Sequence, residues 1–187
     1  VEVLLPKTIV MENVPGMLTI GNGKVIKEIS RKLGLLGYKC AVKILHAEDF
    51  GVPQARRRAF VVGTRLGDPS ELIPHGTHGP SPKPSLKANP YVHRWEPSPN
   101  RPALPFVTVR DALSDLPTLK NGAGAKVAVY AKDASCDYQR MLRGRSKRLY
   151  DHVCHTLSAV MLERISYVPE GGNWTAIPRE LLPSGMQ

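Results

Sequence analysis

Apolar and polar positions change period twice in the first third of the chain. Thr8 to Met11 (TIVM) is a short apolar run rich in β-branched residues, and Glu-Asn-Val-Pro-Gly follows at once. That pattern predicts a buried strand ending in a loop. Val25, Ile26, Ile29, Leu33 and Leu36 then recur at helical spacing. They predict an amphipathic helix, with Asn22 as its cap and Gly37 as its stop. Tyr38 to Leu45 (YKCAVKIL) alternates like a second strand. Phe50 to Arg58 is turn-rich, and Ala59 to Gly63 (AFVVG) reads as a third strand. Strand, helix, strand and strand in succession predict part of an α/β sheet.

The pattern changes near Asp68. Ten of the 17 prolines fall between Pro69 and Pro105. Proline restricts φ and removes backbone donors, so extended loop is expected there. A domain boundary is placed at about Pro74, giving parts 1–74 and 75–187. In the second part, Val109 to Leu116 predicts a short helix stopped by Pro117, and Asn121 to Ala125 (NGAGA) a flexible turn. Thr156 is the expected cap of a helix with Leu157, Val160, Met161 and Ile165 at core spacing, ended by Pro169 and Gly171-Gly172.

Composition narrows the partners. The 187 residues suffice for one domain, or one with a small appendage. With 42% hydrophobic and 22% charged residues, disorder of the whole chain is excluded. The net charge of +10 points to a polyanion, nucleic acid before anionic membrane, and no apolar run is long enough to span a bilayer. Cys40, Cys136 and Cys154 are too scattered for a disulfide framework. A reducing, cytoplasmic setting is expected, at the nucleoid if the source is bacterial. His75 with His78, or His152 with Cys154 and His155, lack a four-ligand metal spacing, so no metal is expected. The chain starts at Val1 and ends at Gln187, which suggests a piece of something longer.

Two motifs stand out. Glu12-Asn13-Val14 ends the first strand, and Gln54-Ala55-Arg56-Arg57-Arg58 precedes the third. The flanks are Val10-Met11 and Gly16-Met17-Leu18 around the first, and Phe50-Gly51-Val52-Pro53 ahead of the second. In order and separation these resemble the sixth to eighth conserved motifs of the cytosine-C5 DNA methyltransferases. Val107 to Pro117 (VTVRDALSDLP) is similar to a segment of the target-recognition region of bacterial members, and Asp151-His152 and Gly171-Gly172-Asn173-Trp174 also look similar. The family's glycine-rich methyl-donor loop and its nucleophilic Pro-Cys pair have no counterpart here, since no cysteine follows a proline.

The resemblance implies the C-terminal half of a Rossmann-like catalytic domain, followed by a small, largely irregular target-recognition domain. It implies methyl transfer from S-adenosylmethionine to cytosine C5 in double-stranded DNA by the complete enzyme, with restriction–modification as one setting. This chain alone is expected to be inactive. In the family a cysteine thiolate adds to C6, and charge builds on the ring near N3. Glu12 would neutralise it there, held partly dehydrated. Arg58 would bind the cytosine O2 with a planar, permanently charged fork. Arg56 would steady the site or a phosphate. Asn13, Val14 and Gln54 would support its loops, and Arg57 would face solvent. The target base must leave the stack to reach such a pocket.

Arg140 to Arg148 holds five cations, Arg140, Arg143, Arg145, Lys147 and Arg148, and no acid. It reads either as a solvated helix face or as a set of phosphate contacts of the recognition region. Two other readings of the whole chain stay open. It could be a non-catalytic DNA-binding module, or the recognition subunit of a split methyltransferase whose nucleophile sits on a separate chain.

Overall fold

The computed structural model describes residues 1–79 and 102–186, so most of the proline-rich stretch lies outside the described residues. The chain divides into two compact units, Val1–Leu113 and Ser114–Gln187. The division falls beyond Pro74, where the composition changes.

The first unit is built on a three-stranded sheet: β1 (Thr8–Asn13), β2 (Lys39–His46) and β3 (Arg57–Thr64). Helix α1 (Lys24–Leu35) connects β1 to β2. The strand order is β1-β3-β2, and β3 runs antiparallel to both neighbours, with Glu12 opposite Phe60, Val42 opposite Val61 and Leu45 opposite Arg58. The last strand in sequence therefore lies between the first two. Its alternation sorts the apolar side chains onto the two faces of the sheet. One face carries Met11, Val42, Ile44, Ala59 and Val61, packed with Met17, Leu18 and Ile26. The opposite face carries Ala41, Leu45, Phe60 and Val62, covered by Phe50 and Ile73.

The ends of α1 follow different rules. Asn22 does not cap it. Asn22 and Gly23 both adopt positive φ, and Gly23 at φ 80° is the N-cap, with no side-chain hydrogen bond. Only Ile26 and Leu33 of the helix are buried, while Val25 stays exposed. At the other end Gly37 acts as expected. At φ 85° it lets Tyr38 N–H reach Leu33 C=O (3.0 Å) and its own N–H reach Gly34 C=O (3.0 Å), satisfying carbonyls that the helix leaves unpaired. The buried Tyr38 ring then leads into β2.

Helix α2 (Val109–Leu113) closes the first unit. Thr108 and Asp111 bond reciprocally at its start: Thr108 N–H donates to the Asp111 carboxylate (2.8 Å), and Asp111 N–H donates to the Thr108 hydroxyl (3.1 Å). The Thr108 hydroxyl also donates to that carboxylate (2.6 Å), and this bond first, then the backbone one, holds the Asp111 carboxyl below the usual carboxylate range.

The second unit contains an antiparallel pair, β4 (Gly124–Val129) and β5 (Arg148–Val153), with α3 (Asp137–Arg143) in the connection. The turn predicted over Asn121 to Ala125 is therefore shorter, because Gly124 already begins β4. Helix α4 (Ala159–Ser166) starts at Ser158, whose hydroxyl accepts the Met161 N–H, and not at Thr156. Its Val160, Met161, Leu162 and Ile165 are exposed, so the helical spacing there does not mark a core in this chain. Among the described residues no helix is long and apolar enough to cross a membrane.

Candidate active site

Glu12 stands near the end of β1 and Arg58 near the start of β3. Because the two strands are adjacent and antiparallel, those ends lie at the same edge of the sheet. Glu12 shares a face with its partner Phe60, and Arg58, two residues before Phe60, shares it too. Arg58 and Glu12 form an ion pair, with Nε 2.8 Å from Oε1. Nη1 of Arg58 donates to the Arg57 carbonyl at 2.8 Å, which fixes the second side of its guanidinium plane. Arg58 is mostly covered, its side chain 23% exposed. Glu12 is 48% exposed, so the dehydration expected of it is not provided by these residues.

Below this pair the sheet face opens into a cleft of about 520 Å³. Val10, Leu45, Phe60 and Val62 form its sheet wall, Leu72, Ile73 and Pro74 face them, and Arg56, Arg58 and His46 bring the polar groups. Arg56 therefore joins Arg58 at one cleft. Arg57, next in sequence, is not among the residues that line the cleft.

The turn Ala47–Phe50 sets where the arginines begin. Ala47 N–H donates to Arg56 C=O (2.8 Å), and Arg56 N–H donates to Glu48 Oε2 (3.2 Å). Gly51 ends the turn at φ 79°, and a Cβ there would lie 2.5 Å from the His78 ring. Glycine is required on both counts. Asp49 is buried, and its carbonyl accepts the Thr77 and His78 N–H groups. Burial pushes its carboxyl above the usual carboxylate range. The nearby His46 opposes that shift and Glu48 adds to it.

Asn13 and Gln54 act locally or not at all in what is described. The Asn13 carboxamide accepts the Val14 N–H (2.8 Å), and Gln54 is exposed, its backbone N–H bonded to Val52 C=O. Val14 is exposed and leads into the 3-10 turn Pro15–Leu18.

Of the five cations between Arg140 and Arg148, two are engaged in the fold. Arg140 pairs with Asp137 one turn earlier (2.6 Å). Arg143 is half-buried and bonded through Nη2 and Nε to the buried Asp115 carboxylate (2.7 and 2.8 Å). The same guanidinium reaches the Lys132 carbonyl and lies 3.8 Å over the Tyr130 ring. Arg143 therefore acts as an internal staple in the fold. Arg145, Lys147 and Arg148 are exposed. Nothing in the spacing of the sequence links Asp115 to Arg143, 28 positions on.

The profile of the C-5 cytosine-specific DNA methylases matches residues 1–148. The chain belongs to the cytosine-C5 DNA methyltransferase family. It is similar to the DNA (cytosine-5)-methyltransferase PliMCI of Paracentrotus lividus, 32% identical over 181 residues that make up 92% of this chain and 11% of that protein. It is also similar to the type II methyltransferase M.AgeI of Thalassovita gelatinovora, 32% identical over 191 residues, 100% of this chain and 43% of the relative. A solved structure titled as a DNA modification methyltransferase encoded within an E. coli prophage shares the fold, with a TM-score of 0.53 at 18% identity. It is covered to 47% by 88% of this chain. The chain thus spans less than half the length of the methyltransferases it matches.

Proposed function

We propose that this chain supplies the base-reading wall of a cytosine-C5 DNA methyltransferase. In this reading residues 1–74 belong to the catalytic part and residues 75–187 to target recognition. Support comes above all from one observation, the 2.8 Å contact that brings Glu12 and Arg58 together from motifs 42 positions apart (12 and 58 bound a longer span, 54 and 12 the motif starts). A non-catalytic DNA-binding module would not need that convergence.

The chemistry assigned to the pair is electrostatic. When a thiolate adds to cytosine C6, electron density moves to N3 and O2. Glu12 faces the N3 edge and donates or shares a proton there, while the Arg58 guanidinium donates to O2. In the free chain each satisfies the other, so neither charge waits unpaired for the base. Arg56, at the same cleft, holds the flanking phosphate or steadies Arg58. S-adenosylmethionine is the methyl donor that family membership implies. No glycine-rich strand–loop–helix for it lies in this sequence. Double-stranded DNA is the proposed partner.

The decisive variant is Glu12→Gln in a complete enzyme containing this chain, with label transfer from S-adenosylmethionine to duplex DNA as the measurement. Turnover should fall on the order of 10²–10⁴-fold, the range for loss of a general acid or base, with DNA affinity nearly unchanged. Folding stability should change by less than ~1 kcal/mol, because the pair is partly exposed. Turnover close to the parent's would reduce Glu12 to a structural partner of Arg58.

A further inference from the structure

The second unit has a polar hollow of about 430 Å³ between the end of β4 and the loop from α3 to β5. Its lining brings together Lys132 and Lys147, 15 positions apart in sequence, with Ser146, Asp133 and the Arg143–Tyr130 stack. We propose that this hollow seats one backbone phosphate of duplex DNA, held by the ammonium groups of Lys132 and Lys147. The choice of DNA rests on the function proposed above; the choice of a phosphate rests on the hollow itself.

Three observations lead there. The first is charge. Arg143 is already neutralised by the buried Asp115, so it forms the floor and not the contact. Lys132 and Lys147 are exposed cations, opposed among the lining residues by Asp133 alone, which leaves the rim net positive. The second is that both lysines stand on backbone that is already fixed. The Arg143 guanidinium holds the Lys132 carbonyl. The Ser146 hydroxyl donates to Arg148 C=O (2.8 Å) and accepts Arg148 N–H (3.2 Å), clamping the backbone on both sides of Lys147. Fixing these positions beforehand reduces the ordering cost of binding. The third is the absence of base-reading chemistry. Two ammonium groups are point charges that suit a phosphate, and no Asn or Gln stands in the lining to pair with a base edge. The hollow thus positions the duplex, leaving specificity to other residues.

The test uses the whole chain and a 16-base-pair duplex of arbitrary sequence, with affinity measured across a salt series. Lys132→Gln combined with Lys147→Gln should flatten the log–log salt slope by about one unit, the counterion release of a single phosphate. A loss of about two units means that the lysines serve separate phosphates, and it overturns the shared seat. Asp133→Asn should strengthen binding at low salt. A parallel titration of inorganic phosphate, followed by backbone amide shifts, should move signals from 130–133 and 144–147 in the parent and not in the double variant. DNA binding with an unchanged slope in the double variant overturns the seat and leaves the wider DNA reading standing. Phosphate-induced shifts without DNA binding keep an anion hollow and overturn the DNA assignment. Absence of both overturns the proposal outright. Matching circular dichroism of parent and variant checks the fold, and both lysines are exposed, so no collapse is expected.

Discussion

In the unit Val1–Leu113, the buried apolar side chains of β2 and β3 are Ile44, Leu45, Ala59, Val61 and Val62, sorted by strand alternation onto two faces, with His46 and Thr64 the buried polar ones at the strand ends. In the unit Ser114–Gln187, the buried side chains among the described residues are Gln139, Asp115 and Leu182, two of the three polar. Gln139 at 1% exposure donates to the Ser114 hydroxyl (2.9 Å) and accepts from Ser135 N–H (2.8 Å). Asp115 holds Arg143. One unit is organised by removal of apolar area from water, the other by a few directional polar contacts under an apolar surface that stays exposed on α4 and β4. The difference matters for function. In the function proposed above, a catalytic wall would need Glu12 and Arg58 fixed to a fraction of an ångström, which a packed sheet supplies. A surface that follows DNA would need charge in the right place, which short loops tied by staples supply.

The strongest way to break this comparison is at Asp115. Asp115→Ala would leave Arg143 partly buried without its counter-charge, a loss on the order of 3–5 kcal/mol for that unit. Amide hydrogen exchange should show lost protection in α3, β4 and β5, with β2 and β3 unchanged. Arg143→Met added to the same chain should restore part of the loss, since an apolar side chain of similar length leaves no orphan charge. Uniform loss across both units would mean that Asp115 matters to the whole fold and that the polar-staple description is wrong.

The complementary substitution is Ile44→Ala, expected to cost about 2–5 kcal/mol because Ile44 is fully buried between α1 and β3. Here protection should fall in β1, β2 and β3 and persist in the β4–β5 pair. A midpoint of denaturant unfolding shifted by less than ~1 kcal/mol would show that this sheet face repacks easily.

What was legible in the sequence follows the same division. The three strands and α1 announced themselves through period 2 and period 3.6, because burial on a sheet or helix face forces that repetition. Glu12, Arg56 and Arg58 were found from motif text, and the structure brings Glu12 against Arg58, with Arg56 and Arg58 at one cleft. The place of β3 between β1 and β2 was not legible, since periodicity carries no strand order. The Asn22 cap failed because positive φ at Asn22 and Gly23 shifted the helix start. In the second unit the helical spacing of Val160, Met161 and Ile165 was real, but the face is exposed in this chain. The Asp115–Arg143 staple and the hollow that Lys132 and Lys147 both line were invisible, because such placements between loops leave no period in the sequence.

The smallest effect expected concerns the turn Ala47–Phe50 beside the cleft. Burial raises the Asp49 carboxyl above its ordinary value, so the folded state binds that proton more tightly than the unfolded state does. Between the ordinary and the raised value the native chain carries more protons at this site than the unfolded chain. Stability contributed by this group therefore falls as pH rises through that window, with a slope no steeper than one proton allows. Asp68 and Asp111, held below the ordinary range by hydrogen bonds from Ser70 and Thr108, act in the opposite sense and mask the effect in the parent. The difference between parent and Asp49→Asn removes them, because both are common to the two chains. That difference should move steadily in favour of the Asn variant as pH rises through the acidic range, then become constant. Urea midpoints of both proteins across a pH series measure it. A difference that stays flat would mean that water or a counter-charge reaches Asp49 in solution, and that the Ala47–Phe50 turn, which sets where the arginines begin, is looser than its hydrogen bonds imply.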